Sequence, residues 1–256
     1  MMDVISPLEI NKNLQKDIEI LYFEEIDSTN NYIKRNPDSP EFLTVIANSQ
    51  TSGKGRMNRS FHSPQNSGIY MSILLKPKLK AENSVLITAA AAVAVSLSIE
   101  SLCPQDTKIK WVNDIFINNK KVCGILTEGS LNPDGSFNYA VLGIGINAYM
   151  PKNDFPDEIK DIAGAVFNKK QENLKNRLIS QIINNFLEYY NDLEKRDFLS
   201  VYRQKSLVLG KEITAPNGKA LAIDIDDNCR LLVEYKNGEK EYLSSGEISI
   251  GVDFFE

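Results

Sequence analysis

The sequence predicts an α+β fold, a mixed and largely antiparallel sheet flanked by helices, followed by a small C-terminal β-barrel. Three observations carry that expectation. Four apolar segments, KIKWV, DIFINN, KVCGILTEGSL and NYAVLGIGINA, follow one another through turns at Asn118-Asn119 and Asn132-Pro133-Asp134-Gly135. Short turns between consecutive strands make antiparallel neighbours. The stretch Glu82–Leu102 is Ala-rich and apolar, suited to close packing of a helix on such a sheet. Beyond Leu207, KEITAP, ALAIDI, RLLVEY, EYLSS and EISIGV are short runs separated by Pro216-Asn217-Gly218, Asp226-Asp227-Asn228, Asn237-Gly238 and Gly246, the rhythm of a small closed barrel.

The remaining elements follow in order. IEILYFEEI reads as a first strand, and DSTNNYIKRN as a helix with Asp27 or Ser28 as N-cap. FLTVIANSQ is a strand feeding the segment Thr51–Pro64, and IYMSILLK is the next strand. Leu174, Leu178, Ile182, Ile183, Phe186, Leu187 and Tyr190 keep helical spacing within Gln171–Lys195, and DFLSVYRQKS is a second helix. The change of pattern near 205–209 divides the chain into domains 1–207 and 208–256.

Composition narrows the function. A chain of 256 residues, 42% hydrophobic and 25% charged, is an ordinary globular composition. Its net charge of -5 argues against a sequence-independent nucleic-acid or membrane-surface binder. The longest apolar run, Val85–Ile99, is 15 residues long, too short to span a bilayer. The N-terminus has no basic segment followed by an apolar one, so the protein is expected in the cytoplasm. Three cysteines without C-x-x-C spacing suggest neither a disulfide framework nor a zinc site, and the single histidine, His62, cannot build a His-rich metal site.

Against that acidic background the segment TSGKGRMNRSFHSP (Thr51–Pro64) carries Lys54, Arg56 and Arg59, two glycines and no acid. It is not a phosphate loop of the G-x-x-x-x-G-K-[ST] kind, because Asn48 stands at the first glycine position and Gly55 follows Lys54. The run Gly143-Ile-Gly145-Ile-Asn-Ala148 fits G-x-G-x-x-A, yet Met150-Pro151 stands where a helix should begin. A bulge or a close backbone approach explains those glycines equally well. Left open are a solvated surface loop and an anion cradle, in which Gly53 and Gly55 let the backbone approach a ligand while Lys54 and Arg56 hold its charge.

Four segments, DSTN, QTSGKGR, KIKWVND and GIGIN, place polar or glycine residues at the end of an apolar strand or the start of a helix. Ser28, Thr29 and Asn30 offer hydroxyl and amide groups to a polar ligand head, or simply cap a helix. Lys110 sits among β-branched and aromatic neighbours, either facing a ligand or pointing outward. Trp111 reads as core, and Asn113-Asp114 as a turn or a site.

In this order and spacing, IDSTN, Q-x-x-G-K-G-R-x-x-R-x-x-x-S-P, K-W-x-N-D, K-V-x-G-I-L-x-E and G-I-G-I-N resemble the motifs of the biotin protein ligase family. The resemblance is strong over roughly residues 20–150 and looser over the C-terminal part. It implies a catalytic domain of the class II aminoacyl-tRNA-synthetase-like, biotin–lipoate ligase fold and an SH3-like barrel. It also implies an enzyme that joins biotin to ATP as biotinoyl-5′-AMP, with Mg²⁺, and passes the biotinoyl group to one lysine of a biotin carboxyl carrier protein. By the same resemblance Ser28, Thr29, Asn30 and Gln50 bind the ureido head, Lys54 and Gly55 lie along the ligand, and Gly124 leaves room for its ring. Arg56 and Lys110 are the catalytic cations; Arg56, Arg59, Asn113 and Asn147 face the nucleotide. Only about 20 residues precede the first matching strand, so a stand-alone enzyme without the family's DNA-binding module is expected, acting on neither DNA nor membrane, as monomer or homodimer. The loop departs from the common G-R-G-R-R-G-R form at Lys54, Met57 and Asn58, which bears on affinity. A lipoate or octanoate ligase or transferase, or a non-catalytic biotin-binding regulator, is the alternative.

Overall fold

The computed structural model describes residues 3–244 and 248, the side chains of Asn58 and Glu82 excepted. Its helices are α1 (Pro7–Asn11), α2 (Thr29–Arg35), α3 (Ser84–Leu102), α4 (Leu174–Tyr190) and α5 (Leu199–Gln204). The first of these is absent from the sequence expectation; Ser6 caps it by accepting from the Glu9 amide, and proline stands in its first turn.

Seven strands form the main sheet: β1 (Ile20–Phe23), β2 (Thr44–Ala47), β3 (Gly68–Leu75), β4 (Lys108–Lys110), β5 (Asp114–Ile117), β6 (Lys120–Leu131) and β7 (Phe137–Asn147). Their order is β1-β2-β3-β7-β6-β5-β4. Only β1 and β2 run parallel, joined by the crossover helix α2; all other neighbours are antiparallel. The β5–β6 turn has Asn118 at φ 47° and Asn119 at φ 62°, the left-handed pair that a two-residue hairpin of matching twist requires. KIKWV is shorter as a strand than its apolar pattern suggests: β4 stops at Lys110, and the chain turns through Trp111–Asn113 before β5.

Side chains alternate across the sheet, so each strand serves two faces. Ile46, Ile73, Leu142, Ile144 and Ile146 join the large core with α3 and α4, whereas Val45, Leu74 and Val141 join a small core with Ile33 of α2. The helix α3 is 19 residues long, longer than the apolar run within it, and by length and composition it could cross a membrane. Here it is the central core helix, buried on most of its circumference, as an all-round apolar helix in a globular domain must be.

The C-terminal part is an antiparallel sheet of β8 (Glu212–Ala215), β9 (Gly218–Ile225), β10 (Leu231–Tyr235) and β11 (Lys240–Leu243), in order β11-β10-β9-β8. Among the described residues this sheet is open rather than a closed barrel, with β8 and β11 at its edges. The fifth run, EISIGV, lies outside the described residues apart from Ile248.

This sheet is fastened to the turn after β4. The Trp111 indole donates to the Cys229 carbonyl at 2.9 Å, Tyr202 of α5 donates to the Val112 carbonyl at 3.0 Å, and Arg203 donates to the Ile225 carbonyl at 2.6 Å. Trp111 is 3% exposed, so removing its donor strands a buried carbonyl. Trp111→Phe is expected to lower the unfolding free energy by about 1–3 kcal/mol in chemical denaturation; an unchanged midpoint and slope contradict this fastening.

Candidate active site

The face of the sheet under α2 changes character along β3, β6 and β7. Where Leu74 and Val141 fill the small core, the next positions on the same face are Ser72, Gly143, Gly145 and, across the ladder from Gly145, Gly124. Missing side-chain volume there makes room on this face for Asn30 over Gly143 and for the Phe61 ring over Gly145 and Gly124. A cavity of about 270 Å³, which all three glycines line, opens beside them. This assigns the alternation in GIGIN: the isoleucines belong to the core, and the glycines make the floor.

What fills the space around the glycines is specific. A Cβ on Gly143 would stand 2.3 Å from Asn30 Oδ1, and one on Gly145 would stand 2.6 Å from the Phe61 ring. Real Cβ contacts do not approach so closely, so these are close-approach glycines rather than a nucleotide-binding turn. Gly143→Ala drives Asn30 from its seat, and overpacking of that size costs about 1–3 kcal/mol. If the loss falls on the neighbouring polar pocket, ligand affinity drops about tenfold to a hundredfold with the fold intact; calorimetry alongside a melting curve checks it, and unaltered affinity rejects it.

The twelve residues that the resemblance assigns to the site line this one cavity: Ser28, Thr29, Asn30, Gln50, Lys54, Gly55, Arg56, Arg59, Lys110, Asn113, Gly124 and Asn147; Gly53 does not, packing instead against Phe61, Ser63 and Gln50. Ser28 is the N-cap of α2, settling the choice between it and Asp27, which forms a two-pronged pair with Arg35 at 2.8 and 2.9 Å. The cap places Ser28 and Thr29 at the helix start, over the floor. Sequence reasoning missed Phe61, Lys121 and a wall of Ile159, Ile162 and Ala163, all of which also line the cavity. Lys121 opens the K-V-x-G-I-L-x-E strand, a signal that was present but unused.

One end of the cavity is polar and its hydrogen-bond directions can be counted. Gln50 donates from Nε2 to Ser63 Oγ at 3.0 Å, and Ser63 gives its proton to the Phe61 carbonyl at 2.9 Å. Gln50 Oε1 therefore faces Thr29, accepting from its amide at 2.9 Å and lying 3.1 Å from its hydroxyl. Ser72 Oγ lies 2.7 Å from Thr29 Oγ1 and 2.5 Å from Asn30 Oδ1. Two hydroxyl protons are thus shared among three internal contacts, and Thr29 has none left for the cavity. Toward a ligand it can only accept. Ser28 Oγ accepts from the Asn31 amide at 3.5 Å, which leaves its own proton to donate.

Asn30 lines the cavity, but its polar atoms are engaged by the protein: Oδ1 toward Ser72, and Nδ2 donating to Glu128 at 2.8 Å. Burial on its own raises the Glu128 pKa, but the hydrogen bonds from Asn30 and Lys34 and the charges of Lys34 and Lys54 outweigh it, holding the carboxyl below its ordinary value. His62 also lines the wall, and burial lowers its pKa, so it is a neutral ring at neutral pH.

Toward β5 and β4 the lining is cationic, and basic side chains outnumber acids around the whole cavity. Lys54, Arg56, Arg59, Lys110 and Lys121 line the cavity against one carboxylate among the described residues, Asp114. The basic segment is folded here, not an extended surface loop. Lys54 bridges to Ser60, Gly55 donates to the Arg59 carbonyl at 2.8 Å, and Phe61 donates to the Gly53 carbonyl at 2.9 Å. Met57 at its tip has φ 54°. Arg56 reaches Asn113 Oδ1 at 3.0 Å, and Asn113 Nδ2 lies 2.9 Å from both Asp114 Oδ1 and the Ile125 carbonyl. Lys121 pairs with Asp114 Oδ2 at 2.7 Å. A slot with an acceptor and a donor at one end, a glycine floor and a surplus of cations at the other suits a ligand with a polar neutral head and an anionic tail.

Comparison with known proteins points the same way. The family model described as Biotin/lipoate A/B protein ligase family matches residues 22–147, and that of the biotin protein ligase C terminal domain matches 208–251. The bifunctional ligase/repressor BirA of Bacillus subtilis is 35% identical over 96% of this chain and 79% of its own length. The biotin–[acetyl-CoA-carboxylase] ligase of Mycobacterium tuberculosis is 26% identical over 80% of this chain and 78% of its own length. The structure of the Aquifex aeolicus biotin protein ligase in complex with biotin and ATP superposes with a TM-score of 0.73 at 26% identity, covering 90% of this chain and 97% of that one. The fold and site are those of the biotin/lipoate protein ligase class, and the chain belongs to the biotin protein ligase family within it.

Proposed function

We propose that the protein activates biotin with ATP and transfers the biotinoyl group to a lysine of a biotin carboxyl carrier protein. The observation that carries this reading is the pairing of the two cavity ends over one glycine floor. A cyclic urea presents N–H donors and a carbonyl acceptor, matching the acceptor at Thr29 and the donor at Ser28. The carboxylate of its chain then falls among the cations.

The chemical difficulty is repulsion between two anions. A carboxylate oxygen of biotin attacks the α-phosphorus of ATP, the bond to the β-phosphate oxygen breaks, and pyrophosphate leaves. Arg56, Lys110 and Lys121 neutralise the meeting charges, with Arg59, Asn113 and Asn147 on the nucleotide side. A Mg²⁺ ion arriving with the nucleotide would find its candidate protein ligand in Asp114, since two of that carboxylate's lone-pair sites are in use and a carboxylate has about four. Such an ion would supply charge neutralisation at the phosphates. In the second step the carrier's lysine amine attacks the biotinoyl carbonyl and AMP leaves; the anhydride is already activated, so shielding it from water is the protein's task. With three free cysteines all buried, a reducing cytoplasmic setting is proposed as well.

Titration calorimetry with biotin and with lipoate, each with and without ATP, tests the substrate. Biotin is expected to bind, and lipoate, which has no ureido head to pair with Ser28 and Thr29, to bind at least about a hundredfold more weakly. Equal affinity for the two removes the basis of the reading.

A further inference from the structure

Glu128 lies on β6 outside the cavity lining, yet both of its oxygens are engaged by α2. Oε2 accepts from Asn30 Nδ2 at 2.8 Å, and Oε1 pairs with Lys34 Nζ at 2.5 Å. Asn30 and Lys34 are one helical turn apart, so a single carboxylate grips the helix at two successive points of one face. Apart from these contacts α2 is seated on the sheet by Ile33, fully buried with Leu43, Val45, Leu74 and Val141. What the contacts do fix is the rotation and advance of the helix start. Asn30, 5% exposed, has its Oδ1 against Ser72, and Ser72 in turn touches Thr29. Gly143 leaves no slack beneath Asn30.

We infer that Glu128 is a positioning residue for the ureido pocket: through Asn30 and Ser72 it sets where Thr29 and Ser28 stand, without itself touching the ligand. This rests on the biotin reading above. The carboxylate suits the task better than an amide, since it only accepts and so forces Asn30 to present Nδ2 to it and Oδ1 to Ser72. A glutamine has one acceptor oxygen for two donors and serves half as well.

Calorimetry with biotin on wild type, Glu128→Ala, Glu128→Gln, Asn30→Ala and the Glu128→Ala/Asn30→Ala double variant tests the route, alongside melting curves and the KM for ATP. Glu128→Ala is expected to weaken biotin binding about tenfold or more, while the KM for ATP moves by less than about twofold and the melting curve stays cooperative. Glu128→Gln recovers part of the affinity. In the double variant the second substitution adds little to Asn30→Ala, because both remove one linkage. Wild-type affinity in Glu128→Ala, additive effects in the double variant, or a parallel fall in biotin and ATP parameters overturns the positioning role. Failure of the wild-type protein to bind biotin overturns instead the reading of the pocket on which the role depends.

Discussion

Replacing Lys110 by alanine is expected to slow adenylate formation by about two to three decades, the equivalent of roughly 3–4 kcal/mol, as removal of one preorganised transition-state contact does elsewhere. Lys110 closes β4 immediately before the turn that carries Asn113, and it lines the cationic end of the cavity. Its charge matters most when carboxylate and phosphate meet. Biotin binding without ATP should therefore weaken far less than the rate falls. Lys121→Ala separates two cations at the same end: Lys121 is held by Asp114 at 2.7 Å, so its loss also leaves a carboxylate near the phosphates. Pyrophosphate exchange at saturating substrates measures both variants. Near-normal turnover in Lys110→Ala ends its assignment.

Arg56→Gly is expected to form adenylate but lose it to solution. Arg56 begins the short helical turn Arg56–Asn58 and ties the basic segment to the β4–β5 turn through Asn113 at 3.0 Å. With glycine there the segment loses that tie and a donor to the phosphate together. A charged contact of this kind is worth about 1.5–3 kcal/mol, so retention of the adenylate should fall by one to two decades. Escaped anhydride acylates unrelated lysines, which streptavidin detects on a mixed lysate. Protease sites within Thr51–Pro64 should also be cut faster than in wild type when biotin and ATP are both present, since ligand binding stabilises the closed segment. Unchanged carrier selectivity with unchanged proteolysis makes the segment a passive surface loop.

The fold was legible where local pattern decides it. Asn118-Asn119 can adopt the left-handed hairpin turn at little cost, and the Ala-rich run can lie close to a sheet; both are properties of residues and their neighbours. The site residues were legible for a related reason: each stands at the end of an element, and the mixed sheet brings those ends to one face. The contacts between them were not legible. Nothing in the sequence says that Glu128 meets Asn30, 98 positions away, or that Gly143 exists to admit Asn30 rather than a nucleotide. Asn30 lines the cavity, as the sequence leads one to expect, but its bonds to Ser72 and Glu128 have no signal in the sequence. Lys121 was passed over because a lysine at a strand start is usually solvated, and only its pairing with Asp114 shows which way it faces. The strand expected over KIKWV stops at Lys110, because apolar alternation does not register the turn at Trp111–Asn113, where the Trp111 indole donates to the Cys229 carbonyl.

One cavity is expected to hold a ureido head at Ser28 and Thr29 and to join the attached carboxylate to ATP at Arg56, Lys110 and Lys121. Incubation with ATP labelled at the α-phosphate, in the presence of biotin or lipoate and without any carrier, measures that directly. The expected result is a labelled biotinoyl-adenylate with stoichiometric pyrophosphate release in the biotin sample only, formed about two to three decades more slowly by Lys110→Ala. Labelled adenylate with lipoate in preference to biotin, or biotin binding without any transfer of label, contradicts it.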